Sequence, residues 1–116
     1  MLTIWGLKTC DTCKKALKWM EAEGIEHRVM DVRADGIPSD ELERWLGSVG
    51  WEALVNKAST TWRGLPDAAR EGLNAAKAKA LLAENPTLIK RPVFVAGETV
   101  VVGFRDAQRE AVRALG

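Results

Sequence analysis

At 116 residues, 47% hydrophobic and 28% charged, the chain has the make-up of one ordinary globular domain with a single core, 1–116. Seventeen basic residues against sixteen acidic ones leave a net charge of +1, a total that gives no argument for nucleic acid or a membrane surface as the main partner. The first residues, Met-Leu-Thr-Ile-Trp-Gly, carry no basic leader before an apolar stretch, and runs such as Val93 to Ala96 are too short to cross a bilayer. A cytoplasmic protein in a reducing compartment is therefore expected.

Leu2 to Trp5 is short, β-prone and bounded by Gly6, the pattern of a buried strand. Cys13, Ala16, Leu17 and Met20 then fall on one face of a helix, with Lys14, Lys15, Lys18 and Glu21 outside it and Gly24 as its stop. His27 to Val32 reads as a second strand, completing a βαβ unit with parallel pairing. From about 33 to 86 the pattern becomes a helical insert. Ser39 is predicted to cap a helix through Leu42, Trp45 and Leu46, Trp51 to Val55 adds a turn, and Asn74 caps an alanine-rich helix that Pro86 closes. Pro92 to Ala96 and Thr99 to Val102 flank Gly97-Glu98 as a hairpin, and a last helix starts near Arg105. The order βαβ, helical insert, ββα predicts an α/β fold: a mixed sheet covered by helices in the thioredoxin-like arrangement.

Both cysteines of the chain lie in one Cys-x-x-Cys motif, Cys10 and Cys13, between the first strand and the first helix. Cys10 falls at the helix start, where unpaired amides and the helix dipole favour a thiolate; Lys8, Lys14 and Lys15 are near in sequence and add positive charge. Cys13 lies one turn on, facing inward. Cys10 is thus the expected nucleophile and Cys13 the resolving cysteine. A structural zinc site needs four ligands, and the single histidine, His27, is the only other soft ligand, so no metal is expected. His27 receives no catalytic role.

Ile89-Lys90-Arg91-Pro92-Val93 supplies the second feature. A proline opening a strand belongs at an edge or a cis bond, and Arg91 offers a permanently charged planar fork for a carboxylate or oxyanion. Thr60-Thr61-Trp62-Arg63 reads either as an exposed recognition loop or as packing of the insert with Arg63 in solvent.

Together, Trp5-Gly6-Leu7-Lys8-Thr9-Cys10-Asp11-Thr12-Cys13-Lys14-Lys15-Ala16, Thr60 to Arg63, Ile89 to Pro92 and Val102-Gly103-Phe104 resemble the ArsC/Spx family of thioredoxin-like proteins, and most closely its YffB-type branch. In the family's glutathione/glutaredoxin-linked arsenate reductases one cysteine attacks arsenate and three arginines hold the oxyanion. Cys10 matches that cysteine and Arg91 the arginine before the proline. The other two fall near Asn56 and Gly103, where this chain has no arginine; Arg63 or Arg105 are the candidate substitutes. The resemblance implies a glutathione-linked thiol reductase, with glutathione as co-substrate rather than a tightly bound cofactor. Its site comprises Cys10, Cys13 and Arg91, with Lys8, Thr12, Arg63 and Pro92 binding substrate. Two alternatives stay open: a Spx-like redox-controlled adaptor for the RNA polymerase α subunit, and an arsenate reductase.

Overall fold

A computed structural model describes residues 2–115. Strand β1 (Leu2–Gly6) leads into helix α1 (Asp11–Ala22) and strand β2 (His27–Asp31). Helices α2 (Ser39–Val49), α3 (Trp51–Leu54), α4 (Thr60–Arg63), α5 (Asp67–Arg70) and α6 (Ala75–Glu84) follow, then a 3-10 turn at Pro86–Leu88. The chain returns to the sheet with β3 (Val93–Ala96) and β4 (Thr99–Val102) and closes on α7 (Asp106–Leu115).

The four strands form one mixed sheet in the order β2-β1-β3-β4, with β1 and β2 parallel and the other pairs antiparallel. Because side chains alternate along a strand, neighbouring residues of β1 feed different cores. Leu2 and Ile4, with Phe94 of β3, pack against Ala16 and Met20 of α1 and Val112 of α7. Trp5, with Val93 and Val95, packs on the other face against Leu42 and Trp45 of α2, Leu54 of α3 and Leu82 of α6. The thioredoxin-like mixed sheet read from the sequence is the one observed.

Local chemistry sets the helix ends. Helix α1 buries Cys13, Ala16 and Met20, and Gly24, at φ +68°, lets the Ile25 amide reach the Met20 carbonyl at 3.0 Å. Asn74 caps α6 as expected, its side chain accepting from the Lys77 amide at 2.9 Å. Ser39 does not cap α2: Pro38 holds that position, and its carbonyl accepts from the Leu42 amide. Thr60 to Arg63 is a single helical turn rather than a loop, because the Ser59 hydroxyl accepts from the Trp62 amide at 3.1 Å. Strand β2 stops at Asp31, one residue short of Val32.

Candidate functional site

The cysteine turn is built on three elements. Strand β1 ends at Gly6, the Leu7 carbonyl accepts from the Cys10 amide at 2.9 Å, and the resulting turn delivers Cys10 to the N-cap of α1. Both cysteines are free thiols, Cys10 half-buried and Cys13 buried.

Their environments separate their acidities. Partial burial opposes ionisation of Cys10, but the amide and thiol of Cys13 and the Arg91 guanidinium outweigh it, and the Cys10 pKa falls below its ordinary value. The sulfur makes no full capping hydrogen bond, so Cys13 and Arg91, rather than a dedicated cap, favour the thiolate. The groups acting most strongly are these two, not the sequence-adjacent Lys8, Lys14 and Lys15. Cys13 moves the other way: burial, reinforced by the neighbouring Cys10, pushes its thiol up to about 12. Cys10 is thus the more readily ionised thiol, and Cys13 is held protonated.

Arg91 reaches the turn from the segment before β3. The Arg91–Pro92 bond is cis, Pro92 is buried, and the Pro92 carbonyl accepts from the Gly103 amide at 2.9 Å. An open cavity of about 300 Å³ lies beside Arg91, lined by Thr12, Asn56, Lys90, Arg91, Gly103 and Arg105 among others. Both positions near which the family's remaining arginines fall, Asn56 and Gly103, therefore line this cavity. Of the two candidate substitutes the structure brings Arg105 there and not Arg63. Arg63 is exposed and donates to the Ala58 carbonyl at 2.8 Å. Thr12 joins the cavity from the first turn of α1.

Lys8 is placed elsewhere. It lines a smaller apolar cavity of about 130 Å³ with Gly6, Cys13, Leu17 and Asp31, and its charge acts on the Asp31 carboxylate. His27 lies in β2, its Nδ1 paired with the Ile25 carbonyl at 2.8 Å. Among the described residues no group of three His, Cys, Asp or Glu side chains gathers to hold a metal. Nor, among the described residues, is any helix long and apolar enough to cross a membrane.

Two residues outside the expected site shape the turn. The first is Gly6. A Cβ built there would stand 2.9 Å from Cys13 Sγ and 3.1 Å from Cys13 Cβ, closer than side chains pack. Gly6→Ala is expected to cost about 1–3 kcal/mol through overpacking. Cys13→Ala in the same chain should restore part of that stability, read from denaturation midpoints.

The second is Asp31, a buried carboxylate at the end of β2. Its Oδ1 accepts from the amides of Arg33 and Ala34, both at 2.8 Å, and its Oδ2 from the Lys8 amide at 3.2 Å, fastening the cysteine turn to β2. An aspartate followed by a Gly-containing polar segment is a turn signal, but nothing local announces the bond to Lys8. The Ala34 amide most strongly favours the carboxylate, partial burial opposes it, and the amides of Arg33 and Lys8 help hold the pKa below its ordinary value of 3.8. The contribution to stability is therefore full above that value and disappears as pH falls through the lower, folded value. Asp31→Asn is expected to cost about 1.5–3 kcal/mol at neutral pH. In denaturation series the gap to wild type should close progressively below pH 3.8.

The model of the ArsC family matches residues 5–112. The chain belongs to the ArsC family. Among its relatives, an uncharacterized protein of Haemophilus influenzae is 44% identical over 98% of this chain and 100% of its own. The solved structure of the YffB protein (PA3664) superposes with a TM-score of 0.91, at 36% identity and full coverage of both chains. The global transcriptional regulator Spx of Listeria innocua is 23% identical, over 91% of this chain and 82% of its own. ArsC membership gives the chain a thiol-redox, arsenate-reductase-like fold.

Proposed function

We propose that the protein is a glutathione-linked thiol reductase. The observation that carries this reading is a half-buried Cys10 whose thiolate is favoured by Arg91, a residue that also lines an open cavity with Lys90 and Arg105 on its wall. Such a cavity suits the carboxylates of glutathione, which are planar and match an arginine fork. Arsenate would meet two arginines, Arg91 and Arg105, instead of three, and each missing charge-assisted bond is worth about 1.5–3 kcal/mol. Disulfide chemistry is therefore favoured over oxyanion chemistry.

In this reading the Cys10 thiolate attacks one sulfur of a glutathione mixed disulfide. The substrate S–S bond breaks, a new bond forms to Cys10, and the departing thiolate takes a proton. Forming that bond neutralises Cys10, which removes one of the causes holding the Cys13 pKa high. Cys13 then loses its proton and attacks the Cys10 sulfur, releasing the second thiol and leaving a Cys10–Cys13 disulfide. Two glutathione molecules return two electrons and leave as glutathione disulfide. The test is steady-state reduction of a glutathione-containing mixed disulfide by wild-type protein with glutathione as sole reductant. Rates no higher than glutathione alone would refute the reading.

The likeness to Spx, which shares most of its length with this chain, supports a second reading as a redox-controlled adaptor for the RNA polymerase α subunit. Retention on the α C-terminal domain in one oxidation state of the Cys10–Cys13 pair would favour it. No retention in either state would remove it.

A further inference from the structure

The Thr60–Arg63 segment stands out in the sequence, yet neither Trp62 nor Arg63 lines the cavity beside Arg91. The link to the site runs through Thr61. Its hydroxyl is hydrogen-bonded to the Thr87 hydroxyl at 2.8 Å, across 26 residues of chain. Thr87 lies in the 3-10 turn Pro86–Leu88, and its carbonyl accepts from Arg91 Nη1 at 2.7 Å. Arg91 Nε is buried with no hydrogen-bond partner among the described residues. One arm of the guanidinium is thus anchored to Thr87, while the remainder is left to face Cys10 and a ligand.

We propose that Thr61 is a positioning residue: by pinning Thr87 it fixes the carbonyl that aims the Arg91 fork at the Cys10 sulfur and at the anionic group of the substrate. This deepens the reading of Cys10 and Arg91 as the reacting site and rests on it. A guanidinium has several donors, and a long flexible stem must be held if they are to point at one atom. A carbonyl on a short turn serves that purpose only if the turn is itself fixed. The helical insert, through Thr61, supplies the fixing contact, and α4 would then belong to the chemistry through the backbone of Thr87.

The test uses the whole protein and two alkylating probes of Cys10, neutral iodoacetamide and anionic iodoacetate. Cys13, buried and protonated, does not compete. Thr61→Val removes the hydroxyl at nearly constant volume. It is expected to lower the iodoacetate-to-iodoacetamide rate ratio by about two- to tenfold, the range of one hydrogen bond, and to raise the pH midpoint of alkylation. Thr87→Val, which breaks the pair from the other side, should do the same, and Thr61→Ser should restore both readouts. In an Arg91→Ala background Thr61→Val should have no further effect on the ratio.

A reactive wild-type Cys10 together with an unchanged ratio in folded Thr61→Val and Thr87→Val overturns the proposal alone. So does an equal loss on Thr61→Val with or without Arg91. A wild-type Cys10 that alkylates no faster than an ordinary thiol overturns the underlying reading, and the positioning role with it.

Discussion

Cys10→Ser is expected to abolish disulfide reduction, a fall on the order of a thousandfold or more, because a serine hydroxyl at neutral pH is neither ionised nor a comparable nucleophile. Cys13→Ser should behave differently. Cys10 keeps Arg91, and the first attack proceeds, but the product is trapped as a mixed disulfide until glutathione resolves it from solution. Mass spectrometry of the two variants after incubation with glutathione disulfide separates these outcomes. Cys13→Ser should carry one glutathione and Cys10→Ser none. Adduct on Cys10→Ser would reverse the assigned roles, against the opposite acidities of the two thiols.

Arg91→Ala is expected to have the next largest effect, about ten- to a hundredfold on the rate of Cys10 attack on an anionic disulfide at neutral pH. Two losses combine. The thiolate loses a favourable charge and hydrogen-bond donor, so the Cys10 pKa rises toward its ordinary value. The substrate loses one charge-assisted fork, worth about 1.5–3 kcal/mol. The pH profile tells them apart. A lowered folded pKa means that the wild-type thiolate persists to lower pH, so the part of the deficit due to ionisation should vanish once pH exceeds the raised value in the variant. The part due to substrate binding should remain at every pH. Arg91→Lys should fall between, since an ammonium keeps the charge but does not serve Thr87 and Cys10 in one plane.

The βαβ start, the hairpin and the placement of Cys10 and Cys13 at the head of α1 were legible because they rest on short-range patterns. Cys13, Ala16 and Met20 recur at helical spacing, and Gly97-Glu98 separates two β-prone runs. The assembly of charge around Cys10 was less so. Lys8, Lys14 and Lys15 are its neighbours along the chain, yet the stronger influence is Arg91, which the antiparallel pairing of β3 with β1 brings alongside. The contacts of Asp31 and Thr61 were hidden for the same reason. Each acts through one hydrogen bond, to Lys8 and to Thr87, whose partner is remote in sequence and ordinary in type. The helical turn at Thr60–Arg63 is a different omission: Ser59 stands where a cap belongs, and its signal was local.

Gly103 also limits how the cavity can be re-engineered. It is buried at φ +100°, with its amide tied to the Pro92 carbonyl and Gln108 within 3.5 Å of where a side chain would begin. Grafting an arginine there to rebuild a three-pronged oxyanion clamp would ask an L-residue to hold a left-handed backbone, at a cost of about 1–3 kcal/mol. The relief would come from shifting the strand end that also seats Pro92. An engineer seeking arsenate specificity would do better to begin at Asn56, which lines the same cavity from the segment between α3 and α4, outside the β3–β4 frame.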